Sequence, residues 1–192
     1  MKSSVPTYSN QRVGIFVDVQ NLYHSAKNLY QGRVNYAELI RYLTGPRQLI
    51  RAMAYVVKSE GVEPLQRRAD DPKPIPVTRE GTSSEAGFFE ALTKAGLELR
   101  MKDLQIYAGG MKKADWDVGM AVDAIRMASF LDVIVLVTGD GDFLPLIDYL
   151  KWGQGRVVEV AAFRRSASLR IQEVADRFVN IENIPRAIMK SR

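Results

Sequence analysis

Val133-Ile-Val-Leu-Val-Thr138-Gly-Asp140-Gly-Asp142-Phe143 is the stretch whose reading decides the fold. Residues 133–137 are apolar in unbroken succession, without the polar alternation of a half-exposed strand. That pattern marks a short strand buried on both faces, as in a parallel sheet. The run stops at a Thr-Gly-Asp-Gly-Asp turn, whose glycines permit a sharp bend and a close approach of a ligand to the backbone. A helix over Phe143–Lys151 follows, with Pro145 tolerated in its first turn.

The same grammar recurs outward in both directions. Val13–Val17 is an apolar strand that ends on Asp18, and Asn21 is placed to cap a helix over Leu22–Tyr30 that Gly32 ends. A short helix from Asn35 to Tyr42 stops at Thr44-Gly45-Pro46, and Leu49–Val57 reads as a strand. Residues 59–83 are rich in Pro, Gly and charge, including Arg67, Arg68, Lys73 and Arg79, and read as a long loop, expected to be a mobile flap or a substrate-contacting loop. Ser84 precedes an amphipathic helix stopped by Gly96, and a strand or two falls within Leu97–Tyr107. Trp116–Phe130 is a helix apolar nearly all round, hence buried. Arg156–Ala161 is a further strand, followed by a helix over Ser168–Val174 and a short strand over Phe178–Ile181. Strands alternating with helices predict a three-layer α/β domain with a mainly parallel sheet of five to six strands and right-handed crossovers. The domain is expected over residues 12–182, between a loose tail over 1–11 and a basic tail over 183–192.

Composition removes whole classes of chemistry. The 192 residues include no cysteine and one histidine, His24, so disulfides, thiolate metal sites, cysteine nucleophiles and paired-histidine mechanisms are excluded. Carboxylates, hydroxyls, Lys and Arg remain. The formal charge is +5, which favours a polyanionic partner. The N-terminal segment is polar and no apolar run is long enough for a membrane span, so the protein is expected to be soluble, without a membrane partner, and cytoplasmic.

Asp18 and Asp140 both fall at carboxyl ends of strands, where open α/β sheets bind their ligands. Asp115 is expected to cap the buried helix, leaving Asp117 in its first turn to reach the same cleft. Asp142 is placed to cap the helix after the glycine turn, or to join the cluster. Asp123 sits in the apolar middle of its helix and must be paired, bound to metal or lining the cleft. Carboxylates gathered from distant parts of a chain repel one another and call for a cation. Oxygen donors with almost no imidazole select Mg²⁺ or Mn²⁺, which suit phosphate chemistry. Thr138 could hydrogen-bond a carboxylate, a metal-bound water or a phosphate, and Asn21 could contact substrate. Lys112, Lys113, Arg164 and Arg165 are the candidate phosphate contacts; His24 reads as structural. No P-loop is present, and Gln20 stands where phosphoaspartate phosphatases carry their second acid.

These residues carry a resemblance. Phe16-Val-Asp18-x-x-Asn21, Lys113-Ala-Asp-Trp-Asp117-Val-Gly-Met-Ala-Val-Asp123 and Thr138-Gly-Asp140-Gly-Asp142-Phe-x-Pro145-Leu occur in order. Val158-Glu-Val-Ala-Ala-Phe and Ser168-x-x-Ile-x-x-x-Ala-Asp176-x-Phe178 follow them. Together they resemble the NYN family of PIN-like nucleases, in particular its bacterial LabA-like branch, from about Val13 to Ile181. The resemblance implies a Rossmann-like PIN domain with strand order near 3-2-1-4-5. It implies an endoribonuclease that uses Mg²⁺ or Mn²⁺ held by Asp18, Asp117, Asp140 and Asp142, with Asp123 as a possible additional site acid. The expected partner is RNA, and a homodimer is compatible with the reading. The expected products carry a 5′-phosphate and a 3′-hydroxyl. The alternative is an RNA-binding or regulatory module with weak or no nuclease activity.

Overall fold

A computed structural model describes residues 6–58, 80–103, 105–106, 112–113 and 116–190. In chain order the elements are β1 (Arg12–Asp18), α1 (Val19–Tyr30), β2 (Gly32–Val34), α2 (Tyr36–Thr44) and β3 (Gln48–Lys58). Then come α3 (Glu80–Lys94), β4 (Glu98–Asp103), β5 (Gln105–Ile106), β6 (Lys112–Lys113), α4 (Asp117–Met127) and β7 (Val133–Val137). The chain closes with α5 (Leu144–Asp148), β8 (Val157–Ala162), α6 (Leu169–Val174), β9 (Arg177–Asn180) and β10 (Ile188–Lys190).

Six strands form one sheet in the order β4-β3-β1-β7-β8-β9. Every neighbouring pair in it is parallel. Numbered among themselves the six run 3-2-1-4-5-6, the expected order with one strand added at the edge. The fully apolar strand β7 lies in the middle, and all of its side chains are buried. Its alternate residues enter two cores. Val133, Val135 and Val137 pack with Leu22, Leu39 and Leu92 from α1, α2 and α3. Ile134 and Leu136 pack with Met120, Ile147 and Ile171 from the α4, α5 and α6 side. The strand is apolar throughout because neither of its faces meets water, and each such buried aliphatic contributes about 1.5–3 kcal/mol.

A buried ion pair joins the residue before β3 to β8. Arg47 Nη1 and Nη2 donate to Glu159 Oε1 and Oε2 at 2.8 and 3.1 Å.

The element edges differ from expectation in several places. Helix α1 ends on Gln31, which takes the left-handed conformation (φ 48°) expected of Gly32, and the chain continues into β2. Helix α3 begins at Glu80, inside the stretch assigned to the long loop; the rest of that loop, 59–79, lies outside the described residues. The segment assigned to a basic tail from 183 folds back instead. Ile184 and Ala187 are buried, and β10 pairs antiparallel with β2. These two apolar anchors outweigh the basic composition of that segment.

Candidate metal centre

The site is built on the register of the two central strands. Val17 of β1 lies opposite Val137 of β7, so Asp18 and Thr138 leave the sheet side by side at its carboxyl end. Thr138 Oγ1 donates to Asp18 Oδ2 at 3.1 Å. Asp18 Oδ1 accepts from the Asn21 amide at 3.0 Å, which makes Asp18 the N-cap of α1. The expectation that Asn21 caps this helix is therefore corrected. The helix starts at Val19, a turn earlier than the apolar pattern suggests, and its first amides face the strand end where Asp18 stands. Asn21 acts elsewhere. Its Oδ1 accepts from the Gly139 amide at 3.0 Å and ties α1 to the loop after β7.

A second cap follows. Asp140 Oδ1 accepts from the Asp142 amide at 3.0 Å and starts a single helical turn over Gly141–Phe143. Asp140 thus caps this turn, α5 follows it with Phe143 at its start and no side-chain capping bond, and the Asp142 carboxylate stands exposed beside Asp140. The Asp140 amide donates to Thr138 Oγ1 at 3.2 Å, so one hydroxyl links the two strand-end aspartates.

Asp117 arrives from the opposite wall, in the first turn of α4. The cap of that helix is Trp116, with no side-chain capping bond; Asp115, expected there, lies outside the described residues. Trp116 is the residue that docks the helix end. Its indole Nε1 donates to the Val56 carbonyl at 2.8 Å, and its ring meets Tyr55 edge-on at 5.5 Å between centroids. The ring lies over Gly119, where a Cβ would come within 2.5 Å of Trp116 Cε3. Only glycine fits beneath it. Nothing in the sequence marks Trp116 and Gly119 as positioning residues, apart from an aromatic side chain beside an acid.

The result is a convergence of Asp117, Asp140 and Asp142, each offering a carboxylate oxygen, with these oxygens all within 4.8 Å of one another. Asp18 adjoins this trio rather than sharing that radius. Burial is the main reason its carboxyl is held above the ordinary aspartate range, the Asn21 and Thr138 hydrogen bonds pull the other way, and the Asp140 charge raises it further. Three carboxylates without imidazole or thiolate form the donor set that a hard divalent cation takes.

Asp123 is not in the trio. It accepts from the Tyr55 hydroxyl at 3.0 Å and pairs with Arg100 Nε at 3.3 Å. Lys112 and Lys113 form β6, paired antiparallel with β5; their side chains lie outside the described ones. Arg164 and Arg165 are exposed in the turn after β8. That turn leads into Ser168, whose amide donates to the Gly139 carbonyl at 2.9 Å, so it borders the Asp140 loop. The Arg164 guanidinium rests over the Phe178 ring, 5.5 Å from its centroid. His24 is exposed and meets Tyr23 edge-on.

A doubly covered parallel sheet with an acidic trio at its carboxyl edge defines the PIN-like class of α/β domains. The chain belongs to the NYN domain family, whose pattern it matches over residues 12–182. It is 27% identical over 113 residues to the low amplitude and bright protein LabA of Synechococcus elongatus. That match covers 56% of this chain and 60% of LabA, so the chain spans somewhat over half the length of this relative. Among solved structures it is similar to a protein of unknown function from Vibrio parahaemolyticus, with 26% identity and a TM-score of 0.75. That likeness covers 96% of this chain and all of the other. Among the described residues no helix is long and apolar enough to cross a membrane.

Proposed function

We propose that the protein is a metal-dependent endoribonuclease that hydrolyses phosphodiester bonds of RNA. The observation that carries this reading is the meeting of Asp117, Asp140 and Asp142 within 4.8 Å at the carboxyl edge of a parallel sheet, in a chain of the NYN family. These three would hold Mg²⁺ or Mn²⁺. A bound divalent cation supplies there a water of lowered pKa and a counter-charge for a phosphoryl oxygen. Asp18 adds a further negative charge beside the trio and, through Thr138 and Asn21, fixes the two strand ends relative to each other. Arg164 and Arg165 border the same edge and are assigned to phosphate contacts, and the net charge of +5 suits a polyanion.

The test is cleavage of end-labelled RNA by purified protein with Mn²⁺, with Mg²⁺ and with EDTA, beside the Asp140→Asn variant. Metal-dependent cutting that leaves 5′-phosphates, absent in the variant, is the expected result. Equal cutting by the variant, or cutting unchanged by EDTA, overturns the proposal.

A further inference from the structure

A cleft opens between α1, β2, α2 and α3. It has a volume of about 360 Å³, within the usual span of ligand pockets, about 300–1,000 Å³. Its walls include Tyr23 of α1, Tyr36 of α2, Gly87 and Phe88 of α3, and Arg33 of β2. Tyr36 and Phe88 meet edge-on, 6.2 Å between centroids. Tyr23 is 46% exposed, with Lys27 Nζ 5.7 Å from its ring centroid. Aromatic rings with a guanidinium at the rim are the chemistry that holds a flat heteroaromatic base.

Gly87 is the telling residue. Glycine inside a helix costs about 1 kcal/mol relative to alanine, and packing usually explains its presence. Gly32, on the wall of the same cleft, is explained in that way, because a Cβ there would lie 2.7 Å from the Met189 carbonyl oxygen. At Gly87 no heavy atom of the described residues lies within 4 Å of where a Cβ would stand. Gly87 is exposed, so the space above it is open to solvent along the cleft and a larger side chain there would project into it. One end of the cleft, at Tyr23, faces the strand ends. Tyr23 is five residues beyond the Asp18 cap on α1, about 7–8 Å along the helix axis at 1.5 Å per residue.

We infer that the cleft between Tyr23, Tyr36, Gly87 and Phe88 is a nucleobase subsite, which seats one base of the substrate strand while a neighbouring phosphodiester lies at the acidic trio. That the base belongs to RNA rests on the nuclease reading; the cleft's selectivity for a base does not.

The experiment separates the two. Adenosine 5′-monophosphate, uridine 5′-monophosphate and ribose 5-phosphate are titrated in EDTA into the full chain, and the amide signals are followed by NMR. Saturable shifts at Tyr23, Gly87 and Phe88 with a mononucleotide, and none with ribose 5-phosphate, are expected. Gly87→Leu should weaken mononucleotide binding at least tenfold while raising Tm, because the leucine occupies empty space and favours the helix. Tyr23→Ala should weaken it as well, without the gain in Tm. Equal shifts with ribose 5-phosphate, no shifts at these amides, or a fall in Tm for Gly87→Leu each overturn the subsite; the last would mean that the protein itself fills the space. Since no metal is present, base-dependent shifts in a protein that fails to cut RNA would overturn the nuclease reading and keep the cleft. Cleavage without base-dependent shifts would do the reverse.

Discussion

Asp140 combines two roles in one carboxylate, since it caps the turn over Gly141–Phe143 and forms one corner of the trio. The roles separate by substitution. Asp140→Asn keeps an oxygen for the Asp142 amide and removes a charge that faces Asp117 and Asp142. Without metal its Tm should equal or exceed that of the wild type, and the upward shift that Mn²⁺ gives the wild type by mass action should vanish. Asp140→Ala also loses the cap and should be less stable than Asp140→Asn by about 1 kcal/mol. Thermal denaturation with and without millimolar Mn²⁺ reads both. Asp18 gives a pH dependence. Its folded carboxyl is raised, so the native state holds that proton more tightly than the unfolded chain. The stability it confers is complete below the ordinary aspartate value of about 3.9 and is lost as pH rises through the raised value. In EDTA, the stability difference between wild type and Asp18→Asn should move against the wild type across that interval. A difference flat in pH would refute the assignment.

The elements are held to the site by contacts distant in sequence. Helix α4 reaches the sheet through the Trp116 indole and the Val56 carbonyl, 60 positions apart. Trp116→Phe keeps the ring over Gly119 but leaves that carbonyl without its donor, at a cost of about 1–3 kcal/mol. It should also weaken Mn²⁺ binding, read by calorimetry, because Asp117 is the next residue. Unaltered metal affinity would show that Trp116 plays no part in placing Asp117. Strand β8 is held in another way. Glu159 and Arg47 are almost wholly enclosed, with side chains 4% and 2% exposed. Glu159→Gln strands a buried guanidinium and should lower unfolding stability by about 3–5 kcal/mol in urea, while metal binding by the folded protein is retained.

On the scale of the molecule, the charge distribution matters more than any one contact. A basic chain carries an acidic trio at one edge of its sheet, with Arg164 and Arg165 close to it. Phosphate contacts release counterions, so RNA affinity should fall steeply with salt, by about 0.7 log units per contact and decade of salt for single strands. Replacing Arg164 and Arg165 together by Ala in the Asp140→Asn background should flatten that slope for RNAs of unrelated sequence alike. An unchanged slope would make the two arginines ordinary solvated surface.

The parallel sheet and the strand ends Asp18 and Asp140 were legible in the sequence, because an apolar run that stops at a carboxylate reports burial and its limit locally; the strand order was expected only from the family resemblance. Asp117 was legible as an acid beginning a buried helix. What the tertiary structure decided is which carboxylate performs which role. Capping follows from where a helix begins in space, so Asp18 took the cap that Asn21 was expected to hold, and Asp140 caps the turn ahead of the helix that Asp142 was placed to cap. Asp123 was drawn away to Tyr55 and Arg100, residues of two other strands. The docking of Trp116, the return of β10 onto β2 and the cleft at Gly87 all depend on pairs far apart in the chain. Local pattern carries no information on such pairs, since each partner alone is an ordinary residue, and only packing brings them together.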